Sequence, residues 1–222
     1  LISETIEPES DKWLKKVYSY NKYGNRIKEI TTGADVQQRV TEYTYDKFGK
    51  FVIKVTNPLG QSEKKTYDSN GNLLSLTGPN NLTTRWNYDP FGKKIKEIRA
   101  DGTSTVFHYA FDTSAPDSYY KITVKSDGIS PVTTYYNRLG QKVRVEKIAF
   151  NAKKVYTDFY YNEFGNLVKQ STPYYAGETP EYILTTYDKY QRPIIINSPA
   201  PDGQRAVERV TYEGFTTIIT NA

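Results

Sequence analysis

Cysteine is absent from all 222 residues, so neither a disulfide nor a thiolate metal site can form. A small secreted domain often relies on disulfides, but a long array does without them, so the compartment stays open on this count. Methionine is absent too, even at position 1, and the chain is expected to be a piece of a larger polypeptide. Histidine occurs once, as His108 in the strand-like stretch Val106-Phe107-His108-Tyr109. A lone imidazole builds no His-rich metal centre, and His108 reads as a strand residue rather than a catalyst. No apolar run approaches the length that spans a bilayer, and no signal peptide is visible, so no membrane insertion is expected. Apolar residues make up only 37% and mean hydropathy is −0.70. That is too little for a sheet buried on both faces and suits strands with one wet face. Phosphate-cradling glycine loops and strand-turn-helix nucleophile motifs are also missing.

Tyrosine is abundant: 21 residues, against 9 Phe and 2 Trp. Its ring packs while its hydroxyl finds a partner, which suits a half-buried strand. Many of these tyrosines recur in one frame. Whole copies are Tyr20-Asn21-Lys22-Tyr23-Gly24-Asn25, Tyr45-Asp46-Lys47-Phe48-Gly49-Lys50, Tyr67-Asp68-Ser69-Asn70-Gly71-Asn72 and Tyr88-Asp89-Pro90-Phe91-Gly92-Lys93. The series continues with Tyr136-Asn137-Arg138-Leu139-Gly140-Gln141 and Tyr161-Asn162-Glu163-Phe164-Gly165-Asn166. Tyr187-Asp188-Lys189-Tyr190-Gln191-Arg192 keeps the frame without the glycine, and Tyr109 and Tyr212 hold degenerate places. A period of two dozen residues means stacked supersecondary units rather than a fold built around one active site.

One unit reads as a β-hairpin. Phe51, Ile53 and Val55 alternate with Val52, Lys54 and Thr56, Asn57-Pro58-Leu59-Gly60 turns the chain, and a second strand runs to Tyr67. The Asp or Asn after tyrosine pre-forms the next turn by bonding its own backbone, and glycine supplies positive φ. The aromatic before glycine is expected to fold over the neighbouring strand. Asp101-Gly102, Asp127-Gly128 and Asp202-Gly203 signal hairpins at the companion turns. Ile27-Lys28-Glu29-Ile30 and Ile95-Lys96-Glu97-Ile98 break the alternation, which predicts a bulge or strong twist there. The stretches 110–120 and 171–182 are irregular.

The expected organisation is a polar lead-in over 1–12 and a continuous array of about nine repeats over 13–222. About sixteen strands at ~4.8 Å spacing make a ribbon that must curl, split or close, because no helix is available to cover its apolar side. The fold class is therefore all-β: tandem antiparallel β-hairpins forming a curled or spiralling sheet, a segment of a shell or barrel.

The chemistry-bearing residues fit this reading. Asp46, Asp68, Asp89 and Asp188 could be imagined as glycosidase carboxylates. They lie one per repeat, and Asn takes the place at positions 21, 137 and 162, a swap that a turn tolerates and a catalytic acid does not. Asp68-Ser69-Asn70-Gly71-Asn72 is similar to a calcium loop, but its glycine comes two places early and no glutamate appears at the expected position. No catalytic, metal or cofactor residue is expected. Trp13, Trp86, Tyr174 and Tyr175 are candidate contacts for a glycan or protein ligand. A net charge of +5 is spread over scattered lysines, as on a solvated face, so no nucleic-acid partner is expected.

The Tyr-Asp-x-x-Gly-Asn pattern, whole in Tyr67-Asp68-Ser69-Asn70-Gly71-Asn72-Leu73, resembles the YD repeats of the Rhs family over residues 20 to about 212. That family includes bacterial Rhs and wall-associated proteins, cocoon components of insecticidal toxin complexes, and teneurins. The resemblance implies a hairpin strip spiralling into a hollow shell, in a secreted or cell-surface bacterial protein. Its partners would be the rest of the parent polypeptide or an encapsulated toxin domain. The family's end-of-shell segment with its self-cleaving aspartates has no counterpart here; Asp89-Pro90-Phe91-Gly92 is similar locally but is one repeat in series. The resemblance thus implies a length of wall without plug or cargo.

Overall fold

The computed structural model describes residues 1–201 and 203–221. Every element among them is a strand, and every recorded pairing is antiparallel. The chain divides into two compact units, Leu1–Thr105 and Val106–Ala222.

The first unit is a meander: β1 (Ser3–Ile6), β2 (Leu14–Tyr20), β3 (Arg26–Gly33), β4 (Val36–Tyr45), β5 (Val52–Thr56), β6 (Ser62–Tyr67), β7 (Leu73–Thr77), β8 (Thr83–Tyr88) and β9 (Lys94–Ile98). Each strand in this run pairs with the next. β1 lies inside the lead-in and zips onto β2 from Ser3↔Val17 to Ile6↔Leu14. The unit boundary falls within β10 (Ser104–Phe111).

The second unit holds β11 (Tyr120–Ser126), β12 (Val132–Tyr136), β13 (Lys142–Ile148) and β14 (Lys154–Tyr161) in the same serial order. There the strip forks. β15 (Leu167–Ser171) pairs with the C-terminal half of β14, while the two-residue β16 (Tyr174–Tyr175) pairs with its N-terminal half. β15 passes the ladder on to β17 (Tyr182–Tyr187), followed by β18 (Pro193–Pro199), β19 (Arg205–Glu213) and β20 (Thr216–Asn221). The two irregular stretches therefore contain a loop, between β10 and β11, and this fork. With β1, β16 and the last hairpin added, the described residues hold twenty strands rather than sixteen.

One turn geometry closes most hairpins. In Asp68–Asn72 the Asp68 N–H donates to the Asn72 carbonyl (3.0 Å), and the Gly71 N–H donates back to the Asp68 carbonyl (3.2 Å). Gly71 sits at φ +92°, which a residue with a Cβ resists. This is the three-residue hairpin loop, a type I turn ended by a left-handed residue. The companion turns share it: Asn57 with Gly60, Arg99 with Gly102, Ala149 with Ala152. At Asp101-Gly102 only the glycine has positive φ, so the pair closes a three-residue loop instead of the two-residue I′ loop. Asp202 lies outside the described residues. Where Gln191 replaces the glycine it is driven to φ +62°.

A bulge accompanies the tyrosine. The register slips between Ser19/Tyr20, Thr44/Tyr45, Thr66/Tyr67, Asn87/Tyr88, Tyr135/Tyr136, Tyr160/Tyr161 and Thr186/Tyr187. The extra residue opposite each slip is always apolar: Ile27, Ile53, Leu74, Ile95, Val143, Val168 and Ile194. This explains the three-residue spacing in the two Ile-Lys-Glu-Ile stretches. Bulges bend the strand that carries them and raise local twist.

The core is thin. Among the described residues only Tyr18, Ala115, Tyr135, Val143, Phe159 and Val210 are buried apolar side chains. Cohesion comes instead from neighbours across the ladder. Thr56–Ser62 (3.0 Å), Thr77–Thr83 (2.8 Å) and Thr123–Thr133 (2.9 Å) are bonded hydroxyl pairs. Phe51–Tyr67 and Tyr120–Tyr136 are stacked rings, each pair with centroids 4.9 Å apart. In the first unit β1 pairs with β2, and in the second β20 pairs with β19. No helix among them is long and apolar enough to cross a membrane.

Candidate functional site

The motif tyrosine does the same job in repeat after repeat. Its hydroxyl donates to a backbone carbonyl at the exit of the preceding turn: Tyr45 to Arg26 (3.1 Å), Tyr67 to Val52 (3.2 Å), Tyr88 to Leu73 (3.0 Å). In the second unit Tyr161 bonds Lys142 (2.9 Å), Tyr187 bonds Leu167 (2.9 Å) and Tyr212 bonds Pro193 (3.0 Å). The bulge disturbs the ladder at this point, and the phenol supplies the carbonyl's partner. Burial raises the pKa of Tyr67 and Tyr161, keeping these donors protonated. Tyr136 instead lies stacked on Tyr120.

The carboxylates are equally committed. Asp68 Oδ1 accepts the N–H groups of Asn70 (2.9 Å) and Asn72 (2.8 Å), and Asp89 Oδ1 those of Phe91 and Lys93 (both 2.9 Å). Asp46 takes Lys50 and Phe51, and Asp188 takes Tyr190 and Arg192. Asn21, Asn137 and Asn162 hold their turns with the same oxygen. Hydrogen bonds depress the carboxylate pKa values, from Phe51 N–H at Asp46, the Asn72 side chain at Asp68 and Arg192 N–H at Asp188. No group of three or more His, Cys, Asp or Glu residues among the described residues is placed to hold a metal ion. Exposed His108 lies in β10.

Turn also touches turn. Asn25 Nδ2 donates to the Gly49 carbonyl, and Asn166 Nδ2 to Gln191 Oε1, each bond reaching the next repeat. The Tyr23 ring lies so close over Gly49 that a Cβ there would stand 2.5 Å from Cδ2. Phe51 covers Gly71 in the same way, at 2.9 Å. Among the other aromatics before glycine, Phe48 and Phe164 line grooves beside the next strands while staying exposed. Phe48, Phe91, Leu139 and Phe164 are exposed, Phe91 at 88%, because the loops carry their tips beyond the ladder.

Between successive turns lie grooves of one design. The first, about 400 Å³, is lined by Tyr23, the bulged Ile27 and Tyr45. The second, about 510 Å³, is lined by Phe48, the bulged Ile53 and Tyr67, and both include Asp46. The second unit repeats the pattern with Phe164, Val168 and Tyr187 (about 410 Å³) and, more narrowly, with Val143 and Tyr161 (about 170 Å³). The sequence shows the parts of these grooves, but without the bulge register it does not show that they share a face.

The four candidate aromatics do not form one site. Half-buried Trp13 precedes β2, and its carbonyl accepts the Ala34 N–H. Trp86 is half-buried in β8, with Nε1 on Glu97 (3.0 Å). Tyr174 and Tyr175 belong to the other unit and, as strand neighbours, point to opposite faces. The Tyr174 hydroxyl is held by Asp158 (2.6 Å). Tyr175 is 37% exposed with Lys153 beside its ring.

Tyr174 is part of a network at the fork. Arg144 grips Asp158 with both fork arms (2.6 and 2.8 Å), and the Asp158 N–H donates to Ser171, which is fully buried. Asp158 bonding raises the Arg144 pKa further, and burial followed by the Asp158 bond raises that of Tyr174. Such a closed, satisfied pair pins the strands where the ladder divides.

The sequence profile described as RHS Repeat matches residues 67–109, which bears out the YD-repeat resemblance over that stretch. A search of the curated proteins found no match. Among solved structures, the chain is similar to the crystal structure of TcdB2-TccC3 without hypervariable C-terminal region. That match has a TM-score of 0.68 and 14% identity, and covers 94% of this chain and 12% of that one. It is also similar to TcdB2-TccC3-TEV, with a TM-score of 0.67 and 14% identity, covering 92% and 12%. Likeness at this identity speaks for the fold, and the all-β hairpin strip is the fold shared. The chain spans about an eighth of the length of those structures, 12% in each.

Proposed function

We propose that this chain is a non-catalytic length of wall in the shell or scaffold of a larger, toxin-associated bacterial protein that is secreted or displayed at the cell surface. One observation carries the reading: the polar residues of the repeat are committed to holding the strip together. Tyrosine hydroxyls join one repeat to the carbonyls of the one before, and Asp or Asn oxygens close the turns. What remains is a tiled surface, the composition of a wall rather than a reaction centre. The likeness in fold to TcdB2-TccC3, a protein with a hypervariable C-terminal region, supports a toxin-associated parent.

The experiment is protease protection of the full parent polypeptide. A wall shields the segment it encloses, so the part of the parent C-terminal to the shell should survive digestion. It should be cut when Tyr67→Ala and Tyr88→Ala loosen the strip. A segment cut equally fast in both proteins would overturn the reading.

A further inference from the structure

The two adjacent grooves of the first unit have a spacing that selects a ligand. Successive grooves are one repeat apart, that is two strands, or about 9.6 Å. A polyproline II chain presents every third side chain on the same side and advances about 9.3 Å in three residues. An extended β chain offers same-face side chains every two residues, and neither one such step (about 6.6 Å) nor two (about 13.2 Å) matches the spacing of these two grooves. Each groove has an apolar floor from the bulged isoleucine and aromatic walls from Tyr23 with Tyr45, or Phe48 with Tyr67. Aromatic-walled slots in series are the surface on which polyproline II segments dock.

Charge narrows the choice. Asp46 and Asp68 are engaged by turn N–H groups. Lys50 lines the second groove, and exposed Lys22 and Lys47 rest over the wall residues Tyr23 (5.0 Å) and Phe48 (4.7 Å); none of the three forms an ion pair among the described residues. Glu42 also lines the first groove, paired with Lys28 (3.3 Å), and Lys65 lines the second. Lys22, Lys28, Lys47, Lys50 and Lys65 thus outnumber the carboxylates Glu42, Asp46 and Asp68, and the rim carries a net positive charge.

We infer that the Tyr23–Tyr67 edge binds an acidic polyproline II segment carrying a large apolar residue at every third position. Two such residues enter the consecutive grooves while acidic residues between them meet Lys22, Lys47 and Lys50. This inference concerns the turn edge of the first unit and stands apart from the wall reading.

The test is fluorescence anisotropy of the whole chain with a labelled peptide of four Leu-Pro-Glu repeats. The control has the same composition with the leucine spacing broken. The periodic peptide should bind about tenfold or more tighter than the control, and should weaken with salt. Phe48→Ser, at an exposed tip, should weaken the preference without changing the thermal melt, and adding Tyr23→Ser, which also gives up the contact over Gly49, should abolish it while the melt stays cooperative. Lys47→Glu should weaken binding of the acidic peptide. Equal binding of the two peptides, indifference to these substitutions, or binding of a neutral oligosaccharide in place of the peptide would overturn the inference.

Discussion

Single side chains here act mostly on backbone geometry, and the consequences run in both directions. Gly49 holds φ +69° beneath the Tyr23 ring, so Gly49→Ala adds both a strained conformation and a clash. It should cost about 2 kcal/mol. Ala152 is the converse case: an exposed turn residue at φ +60°, where glycine relieves the strain. Ala152→Gly should raise stability by up to about 1 kcal/mol, less the entropy that glycine adds to the unfolded chain. Urea denaturation of the two variants should give opposite signs. The turn carboxylates predict a pH dependence. Asp46, Asp68 and Asp188 have folded pKa values below the unfolded value of about 3.9. They contribute stability above that value and lose it as pH falls through the folded pKa. Asp112, held at about 2 chiefly by Lys121, adds to the same acid limb. Replacing Asp46, Asp68 and Asp188 by Asn, as the chain itself does at 21, 137 and 162, should leave the fold intact. It should flatten the fall in melting temperature below about pH 4.

Among the elements, the hairpins were readable because each carries its own signals: Asp or Asn to cap the turn, glycine to end it, alternation to make the strands. The bulges were half readable. The Ile-Lys-Glu-Ile spacing at 27–30 and 95–98 announces them, whereas Ile53 and Leu74 hide inside strands that look regular. The fork at β14 was not readable. Local pattern marks 171–182 as irregular, but nothing in it says that Tyr174 returns to Asp158, because that contact depends on the path of β14. The candidate aromatics suffered likewise: type and irregular setting suggest a ligand surface, while the partners of Trp86 and Tyr174 come from other strands. The fork makes its own prediction. Asp158 is 3% exposed and balances Arg144, so Asp158→Ala leaves a cation without its partner. A loss of about 3–5 kcal/mol is expected by chemical denaturation. Tyr174→Phe, which leaves the ion pair in place, should cost only about 1 kcal/mol.

The whole molecule inherits the properties of a linear array, in which each strand is secured by its neighbours and the last has only one. Among the described residues of this 222-residue chain β20 pairs with β19 alone: Thr216-Thr217-Ile218-Ile219-Thr220-Asn221 carries no charge, and Ile219 is 59% exposed. Uncharged terminal strands of high β propensity invite pairing with another chain. Light scattering should show concentration-dependent association, and Ile219→Lys should suppress it; a strict monomer at all concentrations would contradict this. The recurring bulge has a last consequence, for how such a chain can grow. One supernumerary residue per repeat resets which side chains face inward, so parity is restored only over a full Tyr-to-Tyr step. Excising residues 45–66 would join Thr44 to Tyr67 and leave every downstream side chain on its original side. Removing an odd number of residues within a strand would invert the side chains up to the next turn, where a residue can be absorbed: the turn from Asp46 closes on Phe51, one residue later than the turn from Asp68, which closes on Asn72. Changes of length that keep the strands intact are thereby whole modules or single residues within a turn, like links in a chain.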